Sequence, residues 1–121
     1  KLNNGIESYH LLGNHDFAID EVPLENLLAK LSMQDYYYSY SEEGWRFIVL
    51  DATDYSFYST LLHQHDADIV KSYYKDIKGK PNYKRWNGAI GDKQKEWLAH
   101  ELDSAEKLKQ KVIVFSHMPV E

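Results

Sequence analysis

Gly13-Asn14-His15-Asp16 puts an amide oxygen, an imidazole and a carboxylate on four consecutive residues, and Ser116-His117 supplies a second imidazole about a hundred residues later. Mixed oxygen and nitrogen donors of this kind suit a hard or borderline divalent metal. A thiolate site is excluded, because the chain has no cysteine, and a cysteine nucleophile and a disulfide framework go with it. Asn14 and His117 are the candidate ligands. Two ligands are fewer than the three protein groups that catalytic metal sites commonly use, so the remainder of such a site has to come from elsewhere.

Both clusters follow short apolar runs, Tyr9–Leu12 and Val112–Phe115, each of which reads as a buried strand. Sites in open α/β sheets lie beyond the C-terminal ends of strands, so the two clusters are expected to meet. Between them, Leu24, Leu27, Leu28 and Leu31 recur at helical spacing behind Pro23, with Glu21 and Glu25 near the positive end of the dipole. Tyr36–Tyr40 and Trp45–Leu50 read as a β-hairpin around residues 41–44, and 51–60 as a loop. Ile69, Tyr73 and Ile77 mark one side of a helix that Gly79 and Pro81 end, and 81–91 is a turn-rich connection. Asp92 is expected to cap a last helix whose Gln94, Trp97, Leu98, Leu102, Ala105 and Leu108 share a face. The order predicts an α/β fold.

The chain of 121 residues is sized for one domain, with 43% hydrophobic and 27% charged residues. Fourteen Lys and Arg against nineteen Asp and Glu give a net charge of −5, which argues against a nucleic-acid partner held by its phosphates. No apolar stretch is long enough to cross a bilayer as a helix. The chain starts at Lys1 and stops at Glu121 straight after a strand, so an internal piece of a longer protein is expected, and the compartment is left open.

The pairing of Gly13-Asn14-His15-Asp16 with Ser116-His117-Met118-Pro119 resembles two signature blocks of the calcineurin-like metallophosphoesterases. The resemblance implies part of an α-β-β-α sandwich, with Asn14 and His117 as metal ligands. It makes His15 the acid that protonates the leaving oxygen and Asp16 the residue that orients it. Two divalent ions, manganese or iron, are implied as cofactors. The family's first blocks and its final Gly-His-x-His block are not in this sequence, so residues 1–121 would form an incomplete domain, inactive alone, whose partners are the remaining segments or another chain. Within the family, Trp45–Ala52, Trp86-Asn87-Gly88 and Gln94-x-x-Trp97-Leu98 are similar to the manganese-dependent ADP-ribose/CDP-alcohol diphosphatase branch. That branch implies hydrolysis of a phosphoester or pyrophosphate bond in a small nucleoside diphosphate derivative, with residues 54–91 on the substrate side and Tyr55, Trp86, Asn87 and Gly88 as contacts. A phosphomonoesterase or phosphodiesterase of the same family is the alternative activity, and an inactive fragment that serves in binding or assembly is the non-enzymatic one.

Plainer readings apply to other residues. His63, His65, Asp66 and Asp68 are read as the acidic start of a helix before a metal cluster, because dipole and solvation account for them. His10 is read as a strand histidine and His100 as a solvated one. Of the ten tyrosines, most of Tyr36, Tyr37, Tyr38 and Tyr40 are assigned to the hairpin surface, while Tyr55, Tyr58, Tyr83 and Trp86, in the loop-rich middle, are candidates to stack on a base.

Overall fold

The computed structural model describes residues 7–18, 26–61 and 67–119. Three strands form its sheet: β1 (Tyr38–Glu42), β2 (Trp45–Val49) and β3 (Lys111–Phe115), in the order β1-β2-β3. β1 and β2 are antiparallel, with Tyr38 opposite Val49 and Glu42 opposite Trp45. Their turn is Glu43-Gly44, at φ of 47° and 81°. Two left-handed residues match the twist of the flanking strands, so the strands extend through Ser41 and Glu42, residues expected in the loop.

β3 returns parallel to β2, with Phe47 opposite Ile113. The crossover contains α2 (Phe57–Leu61), α3 (Ala67–Asp76) and α4 (Asp92–Lys107), the helical connection that parallel neighbours require. α4 lies over the β1–β2 side of the sheet, where Arg46 donates to Glu101 at 2.8 Å and to Gln110 at 3.0 Å. Ser39 donates to the same Glu101 carboxylate. On the opposite face the rings of Tyr9, Tyr40, Phe47 and Phe115 form a continuous stack.

A separate cluster forms around a short helix, α1 (Leu27–Leu31). Leu27 is buried with Leu12, Phe17 and Met33, and Leu28 and Leu31 pack against them, as the leucine spacing predicts. Leu24, Pro23, Glu21 and Glu25 lie outside the described residues, as do His63, His65 and Asp66. α1 ends where Ser32 turns left-handed.

Several expected elements change form. Tyr9–Leu12 buries Leu12 but joins no strand ladder among the described residues; the Tyr38 hydroxyl donates to His10 O at 2.7 Å and holds the segment beside the sheet. Part of the expected loop 51–60 is helical, because Ser56 and Ser59 satisfy each other's backbone groups and start α2. The buried side of α3 runs through Val70 and Tyr74 toward Ile77, leaving Ile69 exposed. Gly91, not Asp92, is the N-cap of α4, and Asp92 pairs with Lys95 at 3.0 Å. Leu102 and Leu108 are exposed, since α4 turns its Gln94 and Ala105 stripe inward. Among the described residues β3 is an edge strand with Ile113, Val114 and Phe115 exposed, not the buried strand expected. Among the described residues no helix is long and apolar enough to cross a membrane.

Candidate functional site

Residues 13–16 make a tight turn that opens a 3₁₀ segment, Asn14–Ala18. The Asp16 N–H donates to Gly13 O at 3.1 Å, and the Asp16 carboxylate accepts from Gly13 N–H at 2.7 Å. These reciprocal bonds fix the loop that carries Asn14 and His15. At the other end, His117 stands two residues beyond β3, in a bend closed by Ser116 Oγ donating to Met118 O at 2.6 Å and anchored by buried Met118.

The two ends meet. Asn14 Oδ1 and His117 Nε2 are 3.1 Å apart across 103 residues of sequence. Two donors about 2.1 Å from one ion and at right angles would stand about 3 Å apart, so this pair is spaced as neighbours in one coordination sphere. An amide oxygen beside an imidazole nitrogen fits manganese or iron, and among the described residues no group of three or more His, Asp or Glu completes a cage.

Gly13 makes the approach possible. A Cβ built there would lie 2.8 to 2.9 Å from three atoms of the His117 ring, so any side chain would displace the imidazole. Asp16 departs from its expected placement: no hydrogen bond joins it to the exposed His15 among the described residues, and its carboxylate serves the turn backbone.

A cavity of about 550 Å³ has Pro119, two residues beyond His117, in one wall. Tyr55, Asn87 and Gly88 line it as well. Trp86 does not: it is 58% exposed, with Lys84 over its ring. Gly88 is buried, and a Cβ there would collide with the Ala52 carbonyl oxygen, so the glycine is a packing requirement of that wall.

Sequence reasoning missed the polar framework beneath the cavity. Gln94, wholly buried, accepts from Asp51 N–H at 2.9 Å, donates to Asp51 O at 2.9 Å and donates to the Asp54 carboxylate at 2.8 Å. Gly91 N–H donates to the same carboxylate at 2.8 Å. The Asp51 carboxylate accepts from both the backbone and the hydroxyl of Thr53. A glutamine among the apolar positions of an amphipathic helix was the available signal.

No family model matches the chain. The structure is similar to the crystal structure of a dimetal phosphatase from Danio rerio, with a TM-score of 0.72 and 20% identity over 93% of this chain and 43% of that one. The chain thus shares its α/β fold with a dimetal phosphatase, as the resemblance read from residues 13–16 and 116–119 implies. Similar sequences carry the name manganese-dependent ADP-ribose/CDP-alcohol diphosphatase. That of Oryza sativa subsp. japonica is 30% identical over 94% of this chain and 40% of its own length; that of Arabidopsis thaliana is 28% identical over 93% and 41%; that of Mus musculus is 23% identical over 93% and 41%. The chain spans about two fifths of the length of these relatives.

Proposed function

We propose that the whole protein is a metal-dependent phosphohydrolase that cleaves the pyrophosphate linkage of a nucleoside diphosphate derivative such as ADP-ribose or a CDP-alcohol. The observation that carries this reading is the 3.1 Å approach of Asn14 Oδ1 to His117 Nε2 at the ends of two segments that the fold brings together. The names of the relatives and of the structural neighbour supply the substrate class and the two-metal chemistry.

When bound, a pair of divalent ions, manganese or iron, supplies a polarised phosphoryl group and an activated water. Asn14 and His117 would hold one of these ions. His15, exposed on the same turn, gives its proton to the departing oxygen. Asp16 is a positioning residue: its bond to Gly13 N–H sets the turn from which Asn14 and His15 both project. Tyr55, Asn87 and Gly88 face the substrate from the cavity, and Trp86 forms an exposed flank. Because two donors are fewer than a catalytic site uses, the 121-residue chain alone is expected to bind manganese weakly and show negligible turnover.

The test separates neighbouring residues in the full-length protein. His15→Ala should lower turnover by roughly 10²–10⁴-fold with metal content near normal, the usual worth of a positioned proton donor. Asn14→Ala should lower metal occupancy itself. An activated aryl ester, whose leaving group needs no proton, should recover much of the His15→Ala loss. If His15→Ala sheds metal as fully as Asn14→Ala, the acid assignment is wrong.

A further inference from the structure

Asn82 stands out in the cavity wall. Its backbone is fixed: Asn82 O accepts from Lys84 N–H at 2.8 Å and from Asn87 Nδ2 at 3.1 Å, and Tyr74 in turn donates to Asn87 O at 2.6 Å. Its side-chain amide makes no hydrogen bond among the described residues, and Oδ1 is closed off from water without a partner. Leaving a buried acceptor unpaired costs free energy, so such a group calls for a reason. The terminal torsion of an asparagine is broad, and nothing bonded to this amide opposes turning it into the cavity.

The surroundings say what it would meet there. Ile69, Ile77 and Ile90 make apolar wall, and Tyr55 and Tyr73 add aromatic rings 6.3 Å apart. Asp76 and Asp92 balance Lys80 and Lys95, and Asp92 is paired with Lys95, so the rim has no net charge for a phosphate. The volume, about 550 Å³, is in the range of small-molecule sites. A flat, uncharged, heteroaromatic group with hydrogen-bonding edges fits these walls.

We infer that Asn82 is a specificity-determining residue whose amide pairs with the edge of the substrate's nucleobase, an inference that rests on the nucleoside diphosphate reading above. An amide presents a donor and an acceptor side by side. Adenine and cytosine each offer an amino hydrogen beside a ring-nitrogen acceptor, so one asparagine serves both bases. Asn87 Nδ2 donates to Asn82 O and so holds the backbone from which the Asn82 amide projects.

The experiment is equilibrium binding of AMP, CMP and ribose 5-phosphate to the full-length protein, followed by calorimetry, beside turnover of ADP-ribose. Asn82→Leu, similar in size and without polar atoms, should weaken AMP and CMP about tenfold and leave ribose 5-phosphate unchanged. Asn82→Gln should recover part of the loss. Equal losses for all three ligands, no loss for any, or wild-type protein that binds AMP no better than ribose 5-phosphate would each overturn the inference. Failure of ADP-ribose turnover with base-dependent binding intact would instead sink the catalytic reading and leave Asn82 as a base reader.

Discussion

At Gly13 the absence of a side chain is what lets His117 come close, because its ring fills the space a Cβ would take. Gly13→Ala should therefore push the imidazole away from Asn14. Changes in groups that orient a metal ligand typically cost 10–100-fold in metal affinity, so about a tenfold loss of manganese affinity is expected in the full-length protein with the fold retained. Titration calorimetry with manganese checks it, and unchanged affinity would show that the 3.1 Å pair is not a metal-binding one. That Asn14 and His117 would come together was legible in the sequence, because their types and their places after apolar runs mark them as a pair. Asn82 was not, since one asparagine in a turn-rich stretch looks like turn chemistry until its unpaired oxygen is seen. Trp86 shows the converse: an aromatic beside a motif predicts a contact, yet the ring lies outside the cavity.

Among elements, α4 does more than cover the sheet. Gln94 reproduces a strand-like pair of bonds to the Asp51 backbone and ties the 51–54 loop to the helix. Gln94→Leu would keep the volume but strand Asp51 N–H, Asp51 O and part of the Asp54 carboxylate, for a loss of about 3 kcal/mol in urea unfolding. Gln94→Glu should also destabilise, by placing a second carboxylate beside Asp54. The α3–loop junction has its own signature. Burial foremost, then the neighbouring Tyr73 and Tyr58, push the Tyr74 phenol up to about 12 from 10.0. The fold favours the neutral phenol, so this contribution is fully present below pH 10 and is lost as pH rises through 10 toward 12. Tyr74→Phe should shallow the fall in thermal stability across that window, while costing about 1 kcal/mol at neutral pH through the lost bond to Asn87 O. Absorbance of tyrosinate during a pH titration checks the first part. Elements with strong local signals, the hairpin and α4, were readable; Tyr9–Leu12 and the Ser56–Ser59 start of α2 were not. Whether an apolar run pairs as a strand depends on neighbours distant in sequence, and two serines capping each other look like loop composition.

On the scale of the whole molecule, the sheet is covered unevenly. Arg46 is covered by its pair with Glu101 of α4, yet Val114 is exposed on that same face and Ile113 and Phe115 on the other. Among the described residues β3 is also an outer strand of the sheet, so unpaired backbone groups and apolar side chains occur together there, a combination that templates pairing with another chain. The expectation of a buried strand at 112–115 and the exposed strand observed are reconciled by this: the composition is that of an interior strand, and the described residues provide no neighbour to bury it. The 121-residue chain is accordingly expected to self-associate as its concentration rises, as seen by sedimentation equilibrium. Two substitutions locate the contact. Val114→Lys adds a charge on the α4 side of the edge, and Phe115→Ser removes the exposed end of the Tyr9–Tyr40–Phe47–Phe115 ring stack on the opposite face. Val114→Lys should abolish association through the edge at little cost to the fold, because the position is already exposed. Phe115→Ser should weaken association through the aromatic face and also lower thermal stability, because Phe115 packs against Phe47. A chain that stays monomeric at high concentration, or that associates equally well with both changes in place, would show that β3 is not the adhesive surface.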